Sequence, residues 1–283
     1  MPEAHDFLMV RSLRTIPRVL LSALNGFIEH DVMTLGAGLA FYTMLSLAPL
    51  LVLLVLATSH TGVALQQQLI HELVKLAGPE AGGAIQLVLN SAVKYRSTGV
   101  VSSLIGLVGV LLSATVAFGH LHRSLNIIWE VRGKTRSIVG GWFRGKAVSL
   151  VLMAGLAGLV LFSIGANTVL NLLPAGTGVI AKLRDFGGSF LIYALLFGLI
   201  FRLVPDTKVL WRDALLGACF TAALFLFGNW AIVKYFHVAG AGSAYGAAGS
   251  LFVFLVYVYY ISVIVFFGAE LTQAWGKRMK DEG

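Results

Sequence analysis

The sequence predicts an all-α membrane protein, and three observations carry that prediction. Of its 283 residues 58% are hydrophobic and only 12% are charged, roughly half the charged share of a soluble domain. A water-soluble globule of this length has no interior large enough for so much apolar surface. The apolar residues also run in long continuous blocks rather than alternating, and blocks of that length in lipid are helices, because a helix satisfies its own backbone polar groups. The third observation is charge placement. Of the 21 Lys and Arg, 15 fall in the termini and in every second connection, and 6 fall in the others. Positive residues stay on the cytoplasmic side, which puts both termini there. Topology therefore accounts for the net charge of +8 without any nucleic-acid partner.

Residues 1–283 read as a single transmembrane domain. Its first element, 7–30, sets Arg11, Arg14 and Arg18 on one helical stripe and Met9, Leu13, Ile16, Leu20, Leu24 and Phe27 on the other. That pattern predicts an interfacial amphipathic helix, basic toward anionic headgroups and apolar toward acyl chains, with Pro17 kinking it or starting a second segment. No cleavable signal peptide is expected, since no clean apolar core precedes a small-residue cleavage site.

The first span, 34–58, carries a small-residue face at Gly36 and Ala40, suited to close helix packing. Pro49 frees the carbonyl of Leu45, and Ser46 or Thr43 is expected to satisfy backbone there. With Tyr42 these residues make a candidate polar inward face. Residues 59–98 follow, with Leu65, Leu69, Leu73 and Leu76 at helical spacing, a GPEAGG break, and Ile85, Val88, Leu89, Ala92 and Val93 beyond it. This predicts an external helical hairpin, acting as a cap or as an access lid.

The second span is 99–121. The connection after it is basic, with Trp129 and Trp142 suited to the membrane interface. Spans three to six are read at 147–170, 186–204, 214–236 and 247–270. Asn167 lies near an outer end and Asn229 within the fifth span. An amide there must face protein or water. Arg202 and Asp213 flank the short VPDTKVLWR turn and form a candidate topology pair.

The segment AGAGSAYGAAG (239–249) opens the last span. Gly242 and Gly246 make a GxxxG step continued by Ser250. The segment is either a tightly packed helix start or a broken, cavity-lining one in which Ser243 and Tyr245 touch cargo. Glu270 closes the same span, as a headgroup-level anchor or as a buried acid needing a partner such as Arg144, Lys146 or Arg202.

Chemistry for catalysis is not expected. The carboxylates are scattered, His120 and His122 point to different sides of a helix, and Cys219 is the lone cysteine. Ser243 lacks the glycine that a nucleophile elbow needs at position 241, which is Ala241. The GKT at 133–135 lacks the upstream glycine and strand of a phosphate loop. No metal and no cofactor are expected.

GLAFYTMLSLAPLLVLLVL, LNIIWEV and GAGSAYGAAGSLFVFLVYVYYISVIVFFGAE closely resemble the YihY/BrkB family of bacterial inner-membrane proteins, over about Gly26 to Trp275. The resemblance implies a six-helix inner-membrane protein and carries no catalytic residues with it. The family's old label, ribonuclease BN, is a misassignment, and the family is linked to serum resistance and to envelope lipid or lipopolysaccharide handling. The expected function is transport or flipping of a lipid or other amphiphilic envelope component, with membrane lipids as partners. A non-transporting envelope scaffold and an ion-coupled small-solute carrier are the rivals, the second disfavoured because the acids lie near span ends.

Overall fold

A computed structural model of the chain describes residues 17–58, 115–131, 179–239 and 246–281, with side chains described over 17–46, 115–131, 186–232, 234 and 251–279. These residues form six helices: α1 (17–29), α2 (Val32–Thr58), α3 (115–128), α4 (Val179–Leu203), α5 (Trp211–Ala239) and α6 (Gly246–Asp281). Among the described residues there is no strand. Three helices contain segments long and apolar enough to cross a membrane, at Phe186–Leu203, Trp211–Ile232 and Leu251–Met279, and Val32–Ser46 is a shorter apolar stretch. The hairpin 59–98, the third span 147–170 and most of the second span lie outside the described residues.

Helix α6 is the axis. Helices α2 and α5 run antiparallel to it on different sides, and α4 packs on α5. On the α2 side, Gly36 meets Val263 and Tyr259. On the α5 side a reciprocal lock forms. Thr272 fills the space above Gly217, and Thr221 fills the space above Gly268, so that a Cβ at either glycine would collide with the opposing threonine. Each threonine hydroxyl donates to the carbonyl of its own helix's glycine, Thr221 to Gly217 at 2.6 Å and Thr272 to Gly268 at 2.7 Å. Lipid supplies no hydrophobic drive between helices, so close backbone approach with satisfied hydroxyls is what holds such a pair. One turn after another along the same interface, Tyr260 lies over Gly228 and Tyr257 donates to Asn229 at 3.1 Å.

The α4–α5 contact is built from larger side chains. Tyr193 and Phe197 of α4 pack with Phe225 of α5, the closest ring centroids 4.5 Å apart, and Phe201 stacks on Phe197. Trp129, beyond α3, joins them through Phe201.

The helices outrun the apolar blocks that announce them. Helix α3 continues to 128 rather than stopping at 121, because Leu125 and Ile128 are fully buried in the core. Helix α4 begins at Val179, ahead of the expected 186, and α6 continues to Asp281, beyond Glu270. Its extra turns are covered by α1, where Val19 and Ala23 pack with Ala274, Phe267, Leu271 and Trp275. The buried face of α1 is thus Val19, Ala23 and Gly26, whereas Leu20 and Leu24 of the expected apolar stripe are exposed. Exposed Leu20 and Leu24 are free to meet acyl chains, and residues 7–16 of the expected interfacial helix lie outside the described residues.

Two corners close this end of the bundle. Asp31 after α1 and Glu130 after α3 both adopt left-handed backbone, each with φ of 49°. At Glu130 the N–H reaches Ile127 and the next N–H, of Val131, reaches back to Asn126, the paired bonds that end a helix at a left-handed residue. Glycine is the usual occupant, and a side chain there costs about 1–2 kcal/mol.

Candidate functional site

An open cleft of about 660 Å³ lies between α4 and α5, toward the end of these helices away from the Asp31 and Glu130 corners. Phe186 and Phe190 line one wall, and Ala223, Leu226, Phe227, Asn229 and Trp230 line the other. Phe186 and Phe190 stand one helical turn apart on α4 and so share the face that borders the cleft. Asn229 is its polar point, and Tyr257 of α6 fixes that amide by donating to Oδ1. Trp230 stacks near Phe227, and the ammonium of Lys234, one turn on, stands 5.1 Å above the Trp230 ring. An ammonium over an indole face is held by the ring's quadrupole. The cleft therefore offers apolar walls, one anchored amide and one cation at its margin.

The candidate cargo residues are not gathered in one place. Asn229 belongs to this cleft. Tyr42 and Ser46 are on α2, on another side of α6, where Tyr42 lies against the ring of His120. His120 donates to the carbonyl of Leu35 at 3.0 Å, its ring resting on Gly38. Ser46 donates to Thr43 at 2.8 Å rather than serving the carbonyl of Leu45, because a hydroxyl on a helix reaches most easily back one turn along its own backbone. Pro49 falls within α2 and Gly246 and Ser250 open α6, but their side-chain surroundings, like all of Asn167, Gly242, Ser243 and Tyr245, lie outside the described residues.

The expected Arg202–Asp213 pair is not formed. Arg202 lies 5.7 Å over the ring of Trp211, while Asp213 is buried with its carboxylate against Gly276 of α6. The turn between them is instead closed by a residue that charge placement did not single out. Asp206 accepts from Asn126 at 3.0 Å and returns a backbone bond to the same amide at 2.8 Å, with His122 3.3 Å away.

Glu270 is the other surprise. It is fully buried, and its partner is His30, whose Nδ1 lies 2.6 Å from Oε1. Arg202 is occupied elsewhere, and Arg144 and Lys146 lie outside the described residues. Sequence reasoning missed His30 because it precedes every apolar block and stands 240 positions from its partner. A readable signal did exist in Gly26, four residues before His30, which leaves the notch that the carboxylate occupies. Nearby, Lys277 donates to Glu130 at 2.7 Å, and that hydrogen bond holds the half-exposed Glu130 carboxyl below the usual range. Among the described residues no group of three His, Cys, Asp or Glu side chains is placed to hold a metal ion.

The family model described as virulence factor BrkB matches residues 23–283. The chain belongs to the BrkB family. Within reach of it by sequence are BrkB-like relatives named UPF0761 membrane proteins. One from Vibrio vulnificus strain YJ016 is 28% identical over 92% of this chain and 82% of its own length. One from Vibrio cholerae O1 strain N16961 is 30% identical over 92% and 86%. One from Alkalilimnicola ehrlichii is 29% identical over 84% of this chain but 54% of its own length. No solved structure matches. Family membership and apolar helices together make this BrkB protein membrane-embedded.

Proposed function

We propose that this BrkB protein moves a lipid or another amphiphilic envelope component at the bacterial inner membrane. The observation that supports this most is the α4–α5 cleft. Its volume falls within the roughly 300–1,000 Å³ of small-ligand sites, and its aromatic walls, single anchored amide and marginal ammonium suit an acyl chain joined to a polar, anionic head. In this reading the protein spans the membrane six times with both termini cytoplasmic. The grouping of Arg123, Lys208, Arg212, Lys277 and Arg278 toward one end of the described bundle supports that orientation. Anionic headgroups at that face are its lipid partners, and the protein acts without catalysis.

The test is reconstitution of the full chain into phosphatidylethanolamine–phosphatidylglycerol vesicles carrying a trace of fluorescent phosphatidylethanolamine. A membrane-impermeant quencher then reports exchange between leaflets. Protein-containing vesicles should lose the protected signal faster than empty ones, and Ala223→Leu, which fills the cleft, should slow that loss at least about tenfold, the effect of about 1.4 kcal/mol on a barrier. Rates equal to empty vesicles would defeat the lipid reading. Wild-type rates with Ala223→Leu would remove the cleft from it.

A further inference from the structure

Three helix ends meet where α1 turns into α2, where α3 stops and where α6 leaves the core. Their side chains form a file from the interior to solvent. Glu270, 1% exposed, is innermost, seated in the notch at Gly26. His30 comes next, its Nδ1 2.6 Å from Glu270 and its opposite ring nitrogen, Nε2, 4.0 Å from Oε1 of Glu130. Glu130 is half-exposed and shares that same oxygen with Lys277 at 2.7 Å. The amide of Gln273 lies beside the Glu130 carboxylate, and among the described residues its buried nitrogen has no acceptor in good hydrogen-bonding geometry. It offers a donor to water bridging the 4.0 Å gap, as spacings of that length commonly require.

We propose that His30 and Glu270 form a proton-binding site, loaded from solvent through Glu130. An imidazole between two carboxylates suits this task, because its two nitrogens take a proton on one edge and release one from the other. A proton carried by water at Glu130 binds His30 Nε2. The proton on Nδ1 passes to Oε1 of Glu270, leaving a neutral carboxylic acid and the other imidazole tautomer. One proton is taken up and no electrons move. Binding it removes the buried negative charge under α1, so the seat of α1 on α6 senses proton availability.

Among the described residues the groups facing this pair are few. Glu130 comes from the α3 corner, and Lys277 and Gln273 from α6 itself. On α5, Asp213 lies against Gly276. On α1, Arg18 and Glu29 are exposed, as is Asp31 at the start of α2. The site stands apart from the α4–α5 cleft and does not rest on lipid movement.

Infrared difference spectra of the full-length protein in lipid vesicles, taken while the buffer is acidified, test the proposal. The wild type should gain a carboxylic-acid carbonyl band that Glu270→Gln lacks. His30→Gln should displace the midpoint of that band by more than about one pH unit, the effect of losing a charged or hydrogen-bonded partner. Glu130→Gln should leave the band in place but slow its rise after a pH jump at least about tenfold. A pair with a purely structural role predicts otherwise, namely an unchanged band in Glu270→Gln, or an unmoved midpoint in His30→Gln together with unaltered kinetics in Glu130→Gln. Either result overturns the proposal. Should Glu270→Gln fail to fold, the His30 and Glu130 variants decide it alone.

Discussion

Helix α5 presents two unlike faces along the same few turns. Toward α6 it shows Gly217 and Gly228, each covered by a side chain that leaves no room for a Cβ, and Thr221, which fills the space above Gly268. Toward α4 it shows Ala223, Leu226, Phe227 and Trp230 around an open cleft. The first face contains few atoms and holds the helices by closeness. The second contains many, and beyond the packed rings of Tyr193, Phe197 and Phe225 it leaves space between the helices. In a membrane large apolar side chains gain little by leaving lipid for protein, so tight association falls to small residues and hydrogen-bonded hydroxyls, and rings are free to shape a space.

The sharpest way to break this comparison is to add the same side chain to both faces. Gly217→Leu should drive into Thr272 and the backbone of Gly268 and cost about 3 kcal/mol or more, read as a large fall in melting temperature in detergent. If Gly217→Leu melts like wild type, the lock is not what joins α5 to α6. Removing only the hydroxyls is gentler. Thr221→Val or Thr272→Val should cost roughly 0.5–1.5 kcal/mol each, the net worth of a typical intramolecular hydrogen bond. A double-mutant cycle should show coupling between the two, because each threonine rests on the other's glycine. Asn229→Leu removes the Tyr257 contact at about 0.6 kcal/mol, and a larger loss would mean that the amide supports the bundle rather than the cleft.

Ala223→Leu, in the open space, should stay within about 0.5 kcal/mol of wild type. Destabilisation comparable with Gly217→Leu would show the cleft to be packed. The smallest effect expected is that of pH on the Glu130 corner. The Lys277 hydrogen bond lowers the Glu130 pKa in the folded protein, so its stabilisation is present above the ordinary carboxylate range and disappears as pH falls through the lowered folded value. Half exposure keeps it small. Melting curves of wild type and Glu130→Gln should converge as the buffer is acidified through that window, and curves that diverge there would reverse the sign.

Sequence patterning exposed the membrane class and the helical nature of the chain, and a helix, Val32–Thr58, lies where the first apolar block was read. Long apolar blocks depend only on local composition, so they are visible one residue at a time. What stayed hidden depends on partners. The GxxxT pairs at 217–221 and 268–272 look like ordinary apolar helix until the two are set antiparallel. Helix ends ran past the apolar blocks because buried protein, not lipid, covers Leu125, Ile128 and Ala274. Asn229 was visible as an amide that must face something other than lipid. The acceptor role of Asp206 was not, since an acid in a turn is ordinary until a neighbour such as Asn126 meets it.

The lock between α5 and α6 also constrains how this chain can diverge. A mutation that enlarges position 217 can be accepted only after position 272 has shrunk, and the same order binds 268 to 221. Drift at these four sites is therefore conditional, with each permitted change waiting on a prior one in the other helix. Lineages of the chain should pass through intermediates that are small at both members of a pair, never large at both.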